Sequence, residues 1–324
     1  MTDAVRWGLL STARINQALI AGIRAADGAE LVAVASRSAA SASAYAAEQQ
    51  IPSAHGSYEA LLADPEVDVV YVSLPNALHV PWSIAALRAG KHVLCEKPMT
   101  RHAADVVEAY DVAAHAERLL MEAFMWRYHP QTELVARLVR EGTLGDLRQV
   151  RAAFAFSLPD PENVRWDPAL EGGALMDVGC YCVSALRLLC GEPERVSCET
   201  ADREGVDAHT SGLLRFGGGV LGTFECAFDS APRSFLEVTG SQGRLLVEDP
   251  WKAPGPGPEL VRADGSRERL EVDVVNPYAR EVEDLSRAVR EGGEPRLGRN
   301  DALGQALAIE ALYRAASEGR PVAV

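Results

Sequence analysis

The chain is 324 residues long, 48% apolar and 24% charged; at about 150 residues per domain this suffices for two cores, and it excludes a disordered, collagen-like or disulfide-stapled chain. Acidic residues outnumber basic ones 46 to 32, a formal net charge of −14, which is the wrong sign for a phosphate backbone, so nucleic acid is not an expected partner. No run approaches about eighteen apolar residues, and Asp3 and Arg6 precede only a short Leu9-Leu10 patch, so neither a membrane span nor a secretion signal is expected and the protein is assigned to the cytoplasm.

Val5 to Leu10 reads as a strand, Ile15 to Ala26 as a helix, Leu31 to Ala35 as a strand and Ala39 to Gln49 as an alanine-rich helix. The same rhythm continues through a helix at Tyr58 to Ala63, a buried strand at Val69 to Leu74, a helix at Val80 to Ala89 and a strand at His92 to Cys95. A helix at Ala103 to Ala116 leads into Leu119 to Ala123. Right-handed crossovers between parallel strands predict a Rossmann-type doubly wound α/β domain over 1–123, its ligand crevice at the carboxyl ends of the strands.

Beyond Phe124 the pattern changes. A helix begins at Pro130 and ends near Gly142, a strand covers Arg148 to Ser157, and after a Pro-rich loop a helix spans about Ala174 to Leu189. From Arg195 to Glu248 strands alternate with turns such as Gly217-Gly218-Gly219 and Gln242-Gly243. Residues 124–324 therefore read as a second, α+β domain with a large, mainly antiparallel open sheet. Pro250 to Gly265 reads as a surface loop, and helices near Tyr278 to Arg290 and 301–317 close the chain, the last available to pack back on the first domain. The six cysteines, Cys95, Cys180, Cys182, Cys190, Cys198 and Cys226, lack C-x-x-C spacing and read as reduced, mostly core thiols, and no metal site is expected.

The turn after the first strand runs Ser11-Thr12-Ala13-Arg14-Ile15-Asn16, so glycine is missing at 11, 13 and 16, where a G-x-G-x-x-G fingerprint requires it. Small residues at 11 and 13 still admit a pyrophosphate, and the Ser11 and Thr12 hydroxyls suit phosphate oxygens at a helix N-terminus; an ordinary Ser/Thr N-cap explains the same residues. The second strand ends in Ser36-Arg37-Ser38 where an NAD site has Asp or Glu, and a guanidinium there suits a 2′-phosphate. A solvated surface arginine is the plain alternative.

Only three lysines occur, Lys91, Lys97 and Lys252, so this chain uses arginine for generic positive charge. Lys97, between Glu96 and Pro98 at a strand end, thus needs a specific reason, and a partly desolvated lysine can donate a proton or lower a neighbour's pKa. In Gly172 to Tyr181, Asp177 and Tyr181 stand four apart on one helix face, and Gly179 between them suggests close approach by another group. Lys97, Asp177 and Tyr181 make a proton-transfer set; the alternative is Tyr181 as a half-buried core aromatic with Asp177 solvated.

Arg6-Trp7-Gly8, Glu96-Lys97-Pro98, Met121 to Arg127, Gly142-Thr143-Leu144-Gly145 and the stretch Gly-Gly-Ala-Leu-x-Asp-x-Gly-x-Tyr ending at Tyr181 together resemble the Gfo/Idh/MocA oxidoreductase family, over nearly the whole chain. The nearest branch by motif holds glucose-fructose oxidoreductase, NADP-dependent D-xylose dehydrogenase and dimeric dihydrodiol dehydrogenase. The resemblance implies Lys97, Asp177 and Tyr181 as catalytic residues. It implies cofactor binding by Ser11, Thr12, Ala13, Arg14, Ile15, Ser36, Arg37, Asn76, His79, Glu96, Lys97, Arg165 and Trp166, and a substrate pocket with Met125, Trp126, Phe154 and Phe156. It further implies NADP as cofactor, NAD being possible, and a homodimer or homotetramer formed through the second domain's sheet.

The expected function is NADP(H)-dependent hydride transfer at a hydroxyl or carbonyl carbon of a sugar or cyclic polyol. The alternatives are a nucleotide-sugar ketoreductase of a biosynthetic pathway and a non-enzymatic NADP-sensing regulatory protein.

Overall fold

The computed structural model describes residues 4–252 and 256–324, so part of the expected loop Pro250 to Gly265 lies outside the described residues. The chain divides into two compact units, 1–125 with 276–303 and 126–275 with 304–324.

The first unit runs β1 (Val5–Leu10), α1 (Asn16–Ala25), β2 (Ala29–Ala35), α2 (Ala39–Gln49), β3 (Ser53–His55), α3 (Tyr58–Leu62), β4 (Val69–Val72), α4 (His79–Arg88), β5 (His92–Glu96), α5 (Ala103–Ala116) and β6 (Leu120–Ala123). All six strands are parallel, in the order β3-β2-β1-β4-β5-β6. Every residue of β4 is buried, as expected for a parallel strand covered on both faces. The order reverses between β1 and β4, and there a doubly wound sheet opens its crevice.

The second unit begins with α6 (Pro130–Arg140) and β7 (Leu147–Ser157). A π-helical turn, Leu175–Gly179, runs directly into α7 (Cys180–Cys190). Then come β8 (Pro193–Arg203), β9 (Val206–Phe216), β10 (Leu221–Ala227), β11 (Asp229–Gly240), β12 (Gly243–Glu248), β13 (Glu259–Arg262) and β14 (Arg267–Arg269). The chain ends with α8 (Pro277–Glu291), α9 (Arg299–Glu318) and β15 (Val322–Ala323). The sheet has nine strands ordered β14-β13-β12-β11-β7-β10-β9-β8-β15, antiparallel except between β7 and β10.

The stretch 168–190 is apolar and long enough to cross a membrane, but its apolar part is mostly buried inside the protein. It is the core helix of this unit: α7 packs on β7 and β10, and Gly222 makes room, since a Cβ there would meet Leu186 at 3.1 Å. At its C-terminal end Arg187 grips Glu192 with two nitrogens, at 2.7 and 2.8 Å, a fork geometry that adds orientation to charge.

Three features differ from the sequence-based expectation. Part of the expected surface loop forms β13, because Leu260 and Val261 find a buried edge on β12. The expected α-helix over Ala174 to Leu189 starts as a π turn. The segment returning to the first unit is 276–303, carrying α8, whereas 304–324 stay with the second. The reason is an amphipathic α8 that buries Val282 and Leu285. It packs on α1 where a Cβ on Gly22 would lie 2.7 Å from Tyr278, and its Ser286 hydroxyl accepts the Trp7 indole N–H at 3.1 Å.

Candidate active site

In the first unit, candidate residues gather at the carboxyl ends of β1, β2, β4 and β5. Ser11 follows β1 and Ser73 follows β4, and their hydroxyls lie 2.8 Å apart at the point where the strand order reverses. Ser11 is 7% exposed; its hydroxyl also lies 3.0 Å from the Ser73 carbonyl and accepts the Ala13 amide at 3.0 Å. Ser11 therefore shapes the turn from inside, which leaves Thr12, Ala13, Arg14 and Ile15 as its outer surface. Asn16, fully buried, donates to the Ser11 carbonyl at 2.8 Å and locks the turn where glycine stands in the usual fingerprint. α1 carries no acidic side chain in its first turn, so its amide end is electrostatically open to an anion.

Ser36 follows β2, and its amide bonds the His55 carbonyl at 3.1 Å. Arg37 is exposed and makes no ion pair among the described residues. Ser38 caps α2 by accepting the Ser41 amide at 3.3 Å.

At the end of β5, the Glu96 carboxylate accepts a short hydrogen bond from the Tyr71 hydroxyl and bonds the Lys97 amide at 3.2 Å. His79, 1% exposed, has both ring nitrogens engaged, Nδ1 at 2.8 Å from the Pro98 carbonyl and Nε2 at 2.7 Å from the Leu74 carbonyl. It buckles the β4 loop to the Lys97-Pro98 loop. Burial pushes its pKa down to about 4 against the pull of those carbonyls, and the charge of Lys97 lowers it further. Asn76 is half-buried at the start of a short 3-10 turn ahead of His79.

In the second unit, Asp177 lies inside the π turn and Tyr181 one residue into α7. Such turns are rare and concentrate at functional sites. Gly179 explains itself here: a Cβ would lie 2.8 Å from Cys226 of β10, so the close neighbour is the sheet. Gly172 and Gly173 admit the turn's entry, because the Gly173 amide bonds the Arg165 carbonyl at 2.9 Å and Gly173 sits at φ +118°. Asp177 is not solvated: Arg165 Nε donates to it at 2.7 Å, and its side chain is 14% exposed.

Tyr181 is half-buried against an aromatic wall. Its ring meets Phe154 edge-on at 5.5 Å and Trp251 at 5.9 Å, and Phe154 stacks on Trp251 at 6.0 Å. Phe156 continues the wall to Phe228, which holds Trp166 edge-on, each at 5.4 Å. Of the expected pocket residues, Phe154 and Phe156 keep partly exposed rings, whereas Met125 and Trp126 are buried, Trp126 behind Trp251 at 5.4 Å. Trp166 is also buried, with the Arg203 guanidinium 4.7 Å above its ring.

Sequence reasoning did not single out Trp251, Phe228 or Asp207. A tryptophan in a Pro/Gly-rich stretch was a usable signal for the first, because a large aromatic there gains only by burial; its indole N–H bonds the Ala153 carbonyl at 2.9 Å. Asp207 falls within a strand and carries no local signal. Among the described residues no group of three or more His, Cys, Asp or Glu is arranged to hold a metal.

Residues 5–124 match the model of an oxidoreductase family with an NAD-binding Rossmann fold, and residues 132–246 match the GFO/IDH/MocA C-terminal domain. The chain is 42% identical over 322 residues to D-xylose 1-dehydrogenase (NADP(+)) 2 of Haloferax volcanii, covering 98% of each chain. It is 38% identical over 257 residues to trans-1,2-dihydrobenzene-1,2-diol dehydrogenase of Sus scrofa, covering 78% of this chain and 76% of that one. The solved structure of aldose-aldose oxidoreductase from Caulobacter crescentus complexed with glycerol aligns with a TM-score of 0.92 at 30% identity, over 99% of this chain and 100% of that one. A nearly full-length relative at that identity, with both domains matched, means that the chain belongs to the Gfo/Idh/MocA oxidoreductase family.

Proposed function

We propose that the protein is an NADP(H)-dependent dehydrogenase or reductase that acts on a hydroxyl-bearing carbon of a sugar or cyclic polyol. One observation carries this: a chain 42% identical along 98% of its length to an NADP-dependent D-xylose dehydrogenase has Glu96 and Lys97 at the end of β5 and Asp177 and Tyr181 on the π turn and α7.

The first unit's residues fit a dinucleotide with a 2′-phosphate. The amide end of α1 and the turn Thr12 to Ile15 suit a pyrophosphate, Ser36 and Arg37 suit the 2′-phosphate, and no carboxylate competes for Arg37 among the described residues. Asn76, Glu96 and Lys97 serve the nicotinamide ribose, with His79 acting through the loop it buckles, and Arg165 and Trp166 serve the mouth. The nicotinamide, when bound, supplies or accepts the hydride.

In oxidation, Tyr181 accepts the substrate's hydroxyl proton. A phenol titrates near 10, so it is a poor base at neutral pH unless a cation favours its charged form; Lys97 is the second residue to which a catalytic role is assigned. Asp177, held by Arg165, orients the neighbouring substrate hydroxyls. Phe154 and Phe156 offer flat apolar faces that suit a ring. A cytosolic location accords with six free cysteines, and we assign a homodimer built on the second unit's sheet.

The test is a nicotinamide-absorbance screen of pentoses, hexoses and cyclic diols with NADP and with NAD. Tyr181→Phe should keep the fold and NADP binding and lose turnover by roughly 10²- to 10⁴-fold, the usual contribution of acid/base catalysis. Near-normal turnover in that variant would show that Tyr181 does not carry the proton.

A further inference from the structure

Asp207 has no part in the chemistry proposed above, yet its carboxylate is held 4% exposed and takes three hydrogen bonds. Oδ2 accepts the Leu175 amide at 2.6 Å and the Thr210 hydroxyl at 2.8 Å, and Oδ1 accepts the Tyr313 hydroxyl at 2.9 Å. Leu175 opens the π turn, where helical amides have no carbonyl of their own helix to bond. Burial raises the pKa of Asp207 and these bonds oppose the rise, so the fold keeps a costly group here. Space is reserved for it as well, since a Cβ on Gly173 would lie 2.2 Å from Oδ1.

The other end of the turn is braced from the same helix. Gln305, 1% exposed, donates to the Cys180 carbonyl at 2.8 Å, next to Tyr181, and accepts from Arg187 at 3.0 Å. Gln305 and Tyr313 both belong to α9. One helix thus fixes both ends of the turn that carries Asp177 and launches α7 with Tyr181.

We propose that Asp207 is a positioning residue for Tyr181: by tying the Leu175 amide to the Tyr313 hydroxyl it holds the π turn in the form that points the phenol for proton transfer. This role rests on Tyr181 being the acid/base, as proposed above.

Turnover and the Kd for NADP are to be measured for Asp207→Ala, Asp207→Asn, Tyr313→Phe, Tyr181→Phe and the double variant Asp207→Ala/Tyr181→Phe. Asp207→Ala should lower kcat roughly ten- to a hundredfold with NADP affinity unchanged, the scale of a misplacement of about 1 Å. Asp207→Asn and Tyr313→Phe should fall between it and the parent, and the double variant should be no slower than Tyr181→Phe alone. A purely structural role would lower the melting temperature and leave kcat per folded molecule unchanged, which overturns the proposal. So does an Asp207→Ala loss of equal factor in the Tyr181→Phe background, which leaves the acid/base assignment standing. Parental turnover in Tyr181→Phe overturns both. If Asp207→Ala fails to fold, parental kcat in both Asp207→Asn and Tyr313→Phe overturns the positioning role.

Discussion

Single side chains set two properties that are open to direct test. Arg37 stands exposed at the end of β2 with no ion pair among the described residues, so its guanidinium is available to a 2′-phosphate. A charge-assisted bond of this kind is worth roughly 1.5 to 3 kcal/mol. Arg37→Ala should therefore weaken NADP roughly ten- to a hundredfold in titration and leave NAD nearly unchanged; equal losses would remove Arg37 from the site. His79 governs part of the pH dependence of stability. Its pKa is about 4 in the fold against an ordinary 6.5, so between those values the unfolded chain binds a proton that the native chain refuses. Its contribution is complete above about pH 6.5 and is lost as pH falls toward 4, by roughly 3 kcal/mol. His79→Gln should be less stable at pH 7.5 but show a shallower fall in urea unfolding between pH 6.5 and 4.5. A slope equal to the parent's would show that His79 does not control that window.

The π turn is the element on which the proposed chemistry depends, and Gly173, two residues ahead of it, is unlike Gly142 at the end of α6. Gly173 combines φ +118° with a Cβ position 2.2 Å from Asp207 Oδ1, whereas Gly142 has φ +73° with nothing within 4 Å. Ala at Gly142 pays only the backbone penalty, roughly 1 to 2 kcal/mol. Ala at Gly173 must also push aside a carboxylate that holds the Leu175 amide, adding roughly 1 to 3 kcal/mol. Chemical denaturation should therefore rank Gly173→Ala as the more damaging change, and only Gly173→Ala should also depress kcat of the folded fraction. Equal effects would show that the crowding at Asp207 is relieved without cost.

Across the whole molecule, the nine-stranded sheet separates two faces. Gly222, Phe224 and Cys226 of β10 turn toward α7 and the π turn, whereas Leu221 and Leu213 lie on the opposite face, 38% and 42% exposed. On that face Glu237 joins Arg151 and Arg244 at 3.3 and 3.2 Å, and surface pairs of this kind add little stability in water. A second copy of the chain covering this face would bury the leucines and desolvate the charges. Sedimentation velocity at micromolar concentration should give a dimer, and a Leu213→Glu/Leu221→Glu variant should sediment as a monomer. A parent chain that sediments as a monomer rules the dimer out.

The alternating βαβ pattern determined the first sheet, because apolar period and glycine stops are local properties and right-handed crossovers then leave few strand orders. The same local logic located Lys97 at a strand end and placed Asp177 and Tyr181 close together in one helical segment. Tertiary structure decided what no window of sequence contains. The widening of the helix at 175–179 depends on a carboxylate 32 residues away from Leu175. The aromatic wall depends on Trp251 reaching back to Ala153, 98 residues earlier in the chain. Asp177 took Arg165 as a partner instead of solvent, and Ser11 turned its hydroxyl inward to Ser73. All but the Arg165–Asp177 pair, 12 residues apart, join distant segments, and a buried polar group takes its partner from whatever the packed fold brings within about 3 Å.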